Sequence, residues 1–87
     1  MDNKVKEIIQ QILNDEKISF SKIMNVLPYA NELLLIRIIS KYKTDIIKHI
    51  KNPSYPICYF SVLKNKRNIK YVPHEFVVQI YKTAFNF

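Results

Sequence analysis

A chain of 87 residues with 48% apolar content is long enough for one small domain and too apolar for a disordered tail. The absence of glycine excludes the phosphate-cradling Walker loop and the dinucleotide-binding fingerprint, which both require it. Lysine and arginine number 14 against 7 acidic residues, for a formal net charge of +7, and the lone cysteine cannot form an internal disulfide.

Val5, Ile8, Ile9, Ile12 and Leu13 recur at helical spacing, with Lys4, Glu7, Gln10, Gln11 and Asn14 on the other side. This spacing predicts a first helix over Asn3 to Asn14. Asn14-Asp15-Glu16-Lys17 reads as a polar turn. Ser19 or Ser21 then caps a short second helix that buries Phe20, Ile23, Met24 and Leu27. Pro28 disfavours helical geometry at Leu27 and stops it. Asn31 as N-cap and Glu32 in the first turn open the strongest pattern of the chain. Over Asn31 to Lys51, Leu35, Ile38, Ile39, Tyr42, Ile46 and Ile50 collect on one side, and Arg37, Lys41, Lys48 and Lys51 on the other. One helix over this stretch is about 30 Å long. The alternative is a break near Thr44-Asp45, with Thr44 as a new N-cap, which rotates Lys48 and Lys51 away from Arg37. Leu33, Leu34 and Ile36 fall outside the apolar stripe, so the start of this helix needs a second burial surface. Either another helix of the same chain or a twin subunit in a homodimer supplies it.

Two readings stay open for residues 54–72. Ser54 as N-cap with Pro56 in the first turn favours a helix through Asn65. Ile57, Tyr59, Phe60 and Val62, followed by Ile69, Tyr71 and Val72, instead suit a β-hairpin over about 57–72, in the manner of a winged helix. Pro73 and Glu75 suit the first turn of a last helix with Phe76, Val77, Ile80, Tyr81 and Ala84 as its apolar stripe. Phe85 and Phe87 follow it and are placed to fold back onto the core. The expected architecture is a single domain over residues 1–87. It is all-α, a compact bundle of four or five helices, with an α+β hairpin form as the alternative.

The charge is unevenly placed. Lys4, Lys6, Lys17, Lys22 and Arg37 are balanced in the first 40 residues by Asp2, Glu7, Asp15, Glu16 and Glu32, so the whole excess lies in the second half. An AT-rich coding sequence enriches lysine but scatters it evenly, so the asymmetry carries the functional signal. A polyanion fits it, because each lysine that meets a phosphate releases condensed counterions. The candidate nucleic-acid contacts are Arg37 at the patch edge, Lys41, Lys48, Lys51, Lys64, Lys66, Arg67 and Lys70. Tyr55, Tyr59 and Tyr71 have faces on which bases can stack. A solvated face that keeps the protein soluble, or an acidic protein surface as partner, answers to the same charges.

Catalytic patterns fail on inspection. His74-Glu75-Phe76-Val77-Val78 opens like the zinc-protease helix but has valine where the second histidine must stand, and Cys58, His49 and His74 lack metal-ligand spacing. Cys58 among Ile57, Tyr59 and Phe60 reads as a buried structural thiol. No catalytic residue, metal or cofactor is expected. Residues 1–7 have no apolar signal-peptide core, and the longest aliphatic run, Leu33-Leu34-Leu35-Ile36, falls far short of the roughly 20 residues of a membrane span. Pro53 blocks glycosylation at Asn52. A cytoplasmic protein without membrane contact is the expectation.

Residues 51–65, Lys-Asn-Pro-Ser-Tyr-Pro-Ile-Cys-Tyr-Phe-Ser-Val-Leu-Lys-Asn, resemble a stretch of DnaD-like replication proteins of low-GC bacteria and their phages. There a helix ends at Asn-Pro, and the next carries a Tyr-Phe pair and ends in Leu-Lys-Asn. The resemblance implies a helical module that binds DNA and helps assemble a replication primosome, with Tyr59, Lys64 and Lys66 as the corresponding positions. The functional expectation is non-catalytic binding of DNA or RNA in a phage, plasmid or other mobile element. The competing one is a small interaction module that regulates or inhibits a host or replication protein.

Overall fold

A computed structural model describes residues 2–85. The first three of its α-helices start where a short polar side chain takes over an orphan backbone amide. Asp2 accepts from the Val5 amide at 2.9 Å and starts α1 (Asn3–Leu13). Ser19 accepts from the Lys22 amide at 3.4 Å and starts α2 (Phe20–Val26). Asn31 accepts from the Leu34 amide at 2.9 Å and starts α3 (Glu32–Lys41). Ser54 precedes α4 (Tyr55–Lys64) but donates its hydroxyl to the Glu32 carboxylate, which ties the start of α4 to the start of α3. Pro73 precedes α5 (His74–Ala84). Short 3-10 turns occupy Leu27–Tyr29, Ile46–His49 and Lys66–Tyr71. Among the described residues there is no strand, and the fold is all-α.

The hairpin alternative is therefore overturned. Ile57, Cys58, Ser61 and Val62 are the buried residues of α4, a one-and-four spacing that only a helix turns to one side. Lys64 to Asn68, without a glycine, makes no hairpin turn; Asn65 instead caps the following 3-10 turn by accepting from the Arg67 amide at 3.0 Å. Left-handed backbone still occurs in this glycine-free chain, at Asp15 (φ 56°) and Asn52 (φ 53°), residue types whose short polar side chains tolerate it. Asp15 sits just past the end of α1, where glycine is the usual choice, and Asn52 lies in the loop that leads into α4.

The single helix expected over 31–51 is broken. Tyr42 leaves helical geometry (φ −121°, ψ −63°), and its hydroxyl donates to the Glu16 carbonyl at 2.7 Å, past the end of α1. The Lys43 amide reaches back to the Ile38 carbonyl at 3.0 Å, which closes the helix. Beyond the break, consecutive Ile46 and Ile47 are both buried, one in each of two apolar clusters. Thr44 caps nothing, since Asp45 stands before the 3-10 turn without a side-chain cap bond. The expectation at Pro28 is also modified: α2 ends at Val26, but Leu27 keeps helical dihedrals (φ −51°, ψ −45°) and opens the 3-10 turn.

One cluster gathers Ile8 and Ile12 of α1, Ile23 and Val26 of α2, Ile38 and Ile39 of α3, with Ile46 and Ile57. The second gathers Ile47, Cys58, Val62, Val72 and Ile80, with Phe76 and Phe85 packed on it. Helix α4 contributes to both and packs against α3, α5 and two of the 3-10 turns, which makes it the central element. Phe20, expected in the core, is 43% exposed. Phe87 lies outside the described residues.

Candidate nucleic-acid interface

The break after Lys41 separates the basic residues that one long helix would have aligned. Arg37 and Lys41 line a groove between α1 and α3, whereas Lys51 lines a different concavity with Met24, Leu27 and Glu32. Lys48 pairs with Asp45 at 3.2 Å. Partial desolvation pushes the Asp45 carboxyl up, but the hydrogen bond and charge of Lys48, with Lys43, outweigh it and hold the group below its ordinary value. Arg37 is committed to α1. Its guanidinium donates to the carbonyls of Ile12 (3.3 Å), which also accepts from the Asp15 amide at 3.1 Å, and of Leu13 (3.0 Å), and it pairs with Asp15 at 3.2 Å, so it secures the end of the helix.

Lys64, Lys66, Arg67 and Lys70 are all exposed. They occupy the last residue of α4 and the 3-10 turn after it. Three residues per turn set Arg67 and Lys70 one above the other, with Asn68 directed inward. Among the described residues none of these four cations has a carboxylate within ion-pair distance, and Glu75 neutralises none of them. Two lie over aromatic faces: Lys66 Nζ is 5.4 Å from the Phe85 ring centre and Lys70 Nζ 5.2 Å from that of Tyr71. Tyr59, half-buried, stacks on Tyr55 with ring centres 6.2 Å apart and meets Phe60 edge-on.

Asn68 is the site residue that sequence reading missed. It is buried, and its side-chain amide donates to the Thr44 carbonyl at 2.7 Å and the Ser61 carbonyl at 2.9 Å. The basic turn is thereby pinned to α4 and to the loop left by the break in the predicted long helix. The available signal was the three-residue period that groups Asn68 with Tyr71 rather than with the charges. Lys43 was likewise passed over; its Nζ lies 5.4 Å from the Phe20 ring centre.

Cys58 is fully buried, and His49 is exposed beside the Phe20 ring at 5.6 Å. Among the described residues no three His, Cys, Asp or Glu side chains are grouped to hold a metal ion. No helix there is long and apolar enough to cross a membrane. Of the apolar residues outside the predicted stripe, Leu34 is buried in this chain's own core, Ile36 is partly packed on it, and Leu33 is open. No protein-family profile, curated protein or solved structure matches this chain.

Proposed function

We propose that this protein binds nucleic acid without catalysing a reaction, through Lys64, Lys66, Arg67 and Lys70, with Tyr59 as the base-stacking candidate. The observation that carries the reading is that these four exposed cations, unpaired with carboxylates, occupy one segment locked in place by Asn68. Fixed cations lose less conformational freedom on meeting phosphates than cations on a free loop. Lys41 and Lys51 add long-range attraction from their separate positions, and Arg37 and Lys48 contribute less because each already faces a carboxylate. The helical form of 55–64 is the form that the likeness to DnaD-like proteins requires, and that likeness supports a role in the replication of a mobile element.

Fluorescence anisotropy with labelled oligonucleotides tests the proposal. Four phosphate contacts correspond to a log–log salt slope of about −2.8 for single strands and about −3.6 for duplex. Lys66→Ala, Arg67→Ala and Lys70→Ala should each weaken binding uniformly across sequences and reduce the slope by about 1. Absence of saturable binding at about 50 mM salt, where such contacts are strongest, overturns the reading.

A further inference from the structure

The groove between α1 and α3 is lined by none of Lys64, Lys66, Arg67 and Lys70. It encloses about 670 Å³, and its apolar lining includes Leu13, Tyr29, Leu33 and Ile36. Three of these are unusually open: Leu33 is 78% exposed, Tyr29 54% and Leu13 48%. An apolar concavity so exposed on a small protein is a recognised mark of an interaction surface. Along α3, Leu33, then Ile36 and Arg37, then Lys41 recur at three- to four-residue intervals, so the groove runs for two helical turns, about 12 Å. Its charged lining is entirely cationic, Arg37 and Lys41. Asp15, which pairs with Arg37, does not line it, and among the described residues Lys41 has no carboxylate within ion-pair distance.

We propose that this groove receives an acidic amphipathic helix of a partner protein, with its apolar face on Leu13, Tyr29, Leu33 and Ile36 and its carboxylates toward Lys41, the cation of the lining that pairs with no carboxylate among the described residues. Three features favour this occupant. A second copy of the chain would present the same lining across a twofold axis, bringing Lys41 and Arg37 against their own kind or against leucine with no carboxylate to meet them. A concave floor suits an inserted helix, whereas a bilayer surface is met by a convex amphipathic face. Phosphates gain nothing from an apolar floor.

The test selects binders from a displayed library of random peptides of about 16 residues, some four helical turns, on the full chain. The peptides enriched should combine apolar residues at i, i+3 or i+4, and i+7 with a net negative charge. Their affinity should fall about tenfold or more for Leu33→Glu, an exposed position whose substitution should leave the circular dichroism spectrum unchanged. Lys41→Glu should weaken acidic peptides similarly and bind their lysine-substituted counterparts in exchange. Enrichment of neutral or basic peptides, or of none sensitive to Leu33→Glu, overturns the proposal. So does a wild-type dimer in sedimentation that Leu33→Glu dissociates, which assigns the groove to a second copy. Oligonucleotide binding through Lys64–Lys70 is a separate measurement, and Leu33→Ala, which changes no charge, should leave it the same while weakening the peptides.

Discussion

Cys58 lies with Ile47, Val62, Val72 and Ile80 in the second cluster, wholly out of solvent. Burial pushes its thiol from the ordinary 9.0 up to about 11, against a smaller opposing effect of a backbone hydrogen bond. Below pH 9.0 folded and unfolded chains both hold the proton, and the stabilisation from burying a neutral thiol is fully present. As pH rises from 9.0 through about 11 the unfolded chain gives up its proton first, so that contribution is lost. Urea midpoints for wild type and Cys58→Ala should therefore converge across that window, and the comparison isolates the thiol because the two proteins share every other group. Modification of native protein by a soluble aromatic disulfide at neutral pH should proceed only as fast as the fold opens. Burial of Cys58 was legible in its apolar neighbours. The role of Arg37 was not, because helical spacing places it on the basic side and only the chain fold brings the end of α1 beneath it.

At the scale of elements, the helix starts were legible because capping is local: Ser19 and Asn31 lie three residues from the amides they satisfy. The end of α3 was legible only as one of two alternatives, the break near Thr44-Asp45. It depends on the Tyr42 hydroxyl meeting a carbonyl 26 positions away and on Asn68 accepting custody of the Thr44 carbonyl from 24 positions away. Asn68→Ala should cost about 1–2 kcal/mol, since the part-buried Thr44 carbonyl loses its donor while the Ser61 carbonyl keeps the Asn65 amide at 3.0 Å. Thermal unfolding measures that cost. The same variant should reduce the salt slope for oligonucleotides without removing a charge, because the basic turn is no longer held. An unchanged slope would show that Asn68 serves stability alone.

For the whole molecule, the Cα radius of gyration of 13.4 Å exceeds the roughly 12 Å typical of this length, and the extents are 44 × 21 × 18 Å. Two clusters side by side account for the elongation, joined where Ile46 and Ile57 enter one and their neighbours Ile47 and Cys58 the other. Ile46→Ala and Ile47→Ala each empty a buried site and should cost about 2–5 kcal/mol. If these adjacent pairs couple the clusters, amide exchange should quicken in both halves for either variant, and unfolding should stay a single transition. Loss of protection confined to one half would show two independently stable units. The groove proposed for an acidic helix and the basic turn proposed for phosphates draw on different ends of the chain, so the two binding activities are separable by mutation.

Composition and periodicity by themselves determined the helical character of the chain outside residues 54–72, the caps at Ser19 and Asn31, and an excess of positive charge confined to the second half, since each of these is written in neighbouring residues. Tertiary structure alone decided between the unbroken helix over 31–51 and its break, and it held the basic turn in place through Asn68. It also decided that Arg37 closes α1 while Leu33 stays open. Those outcomes depend on hydrogen bonds and burial between residues more than twenty positions apart, which no local pattern encodes.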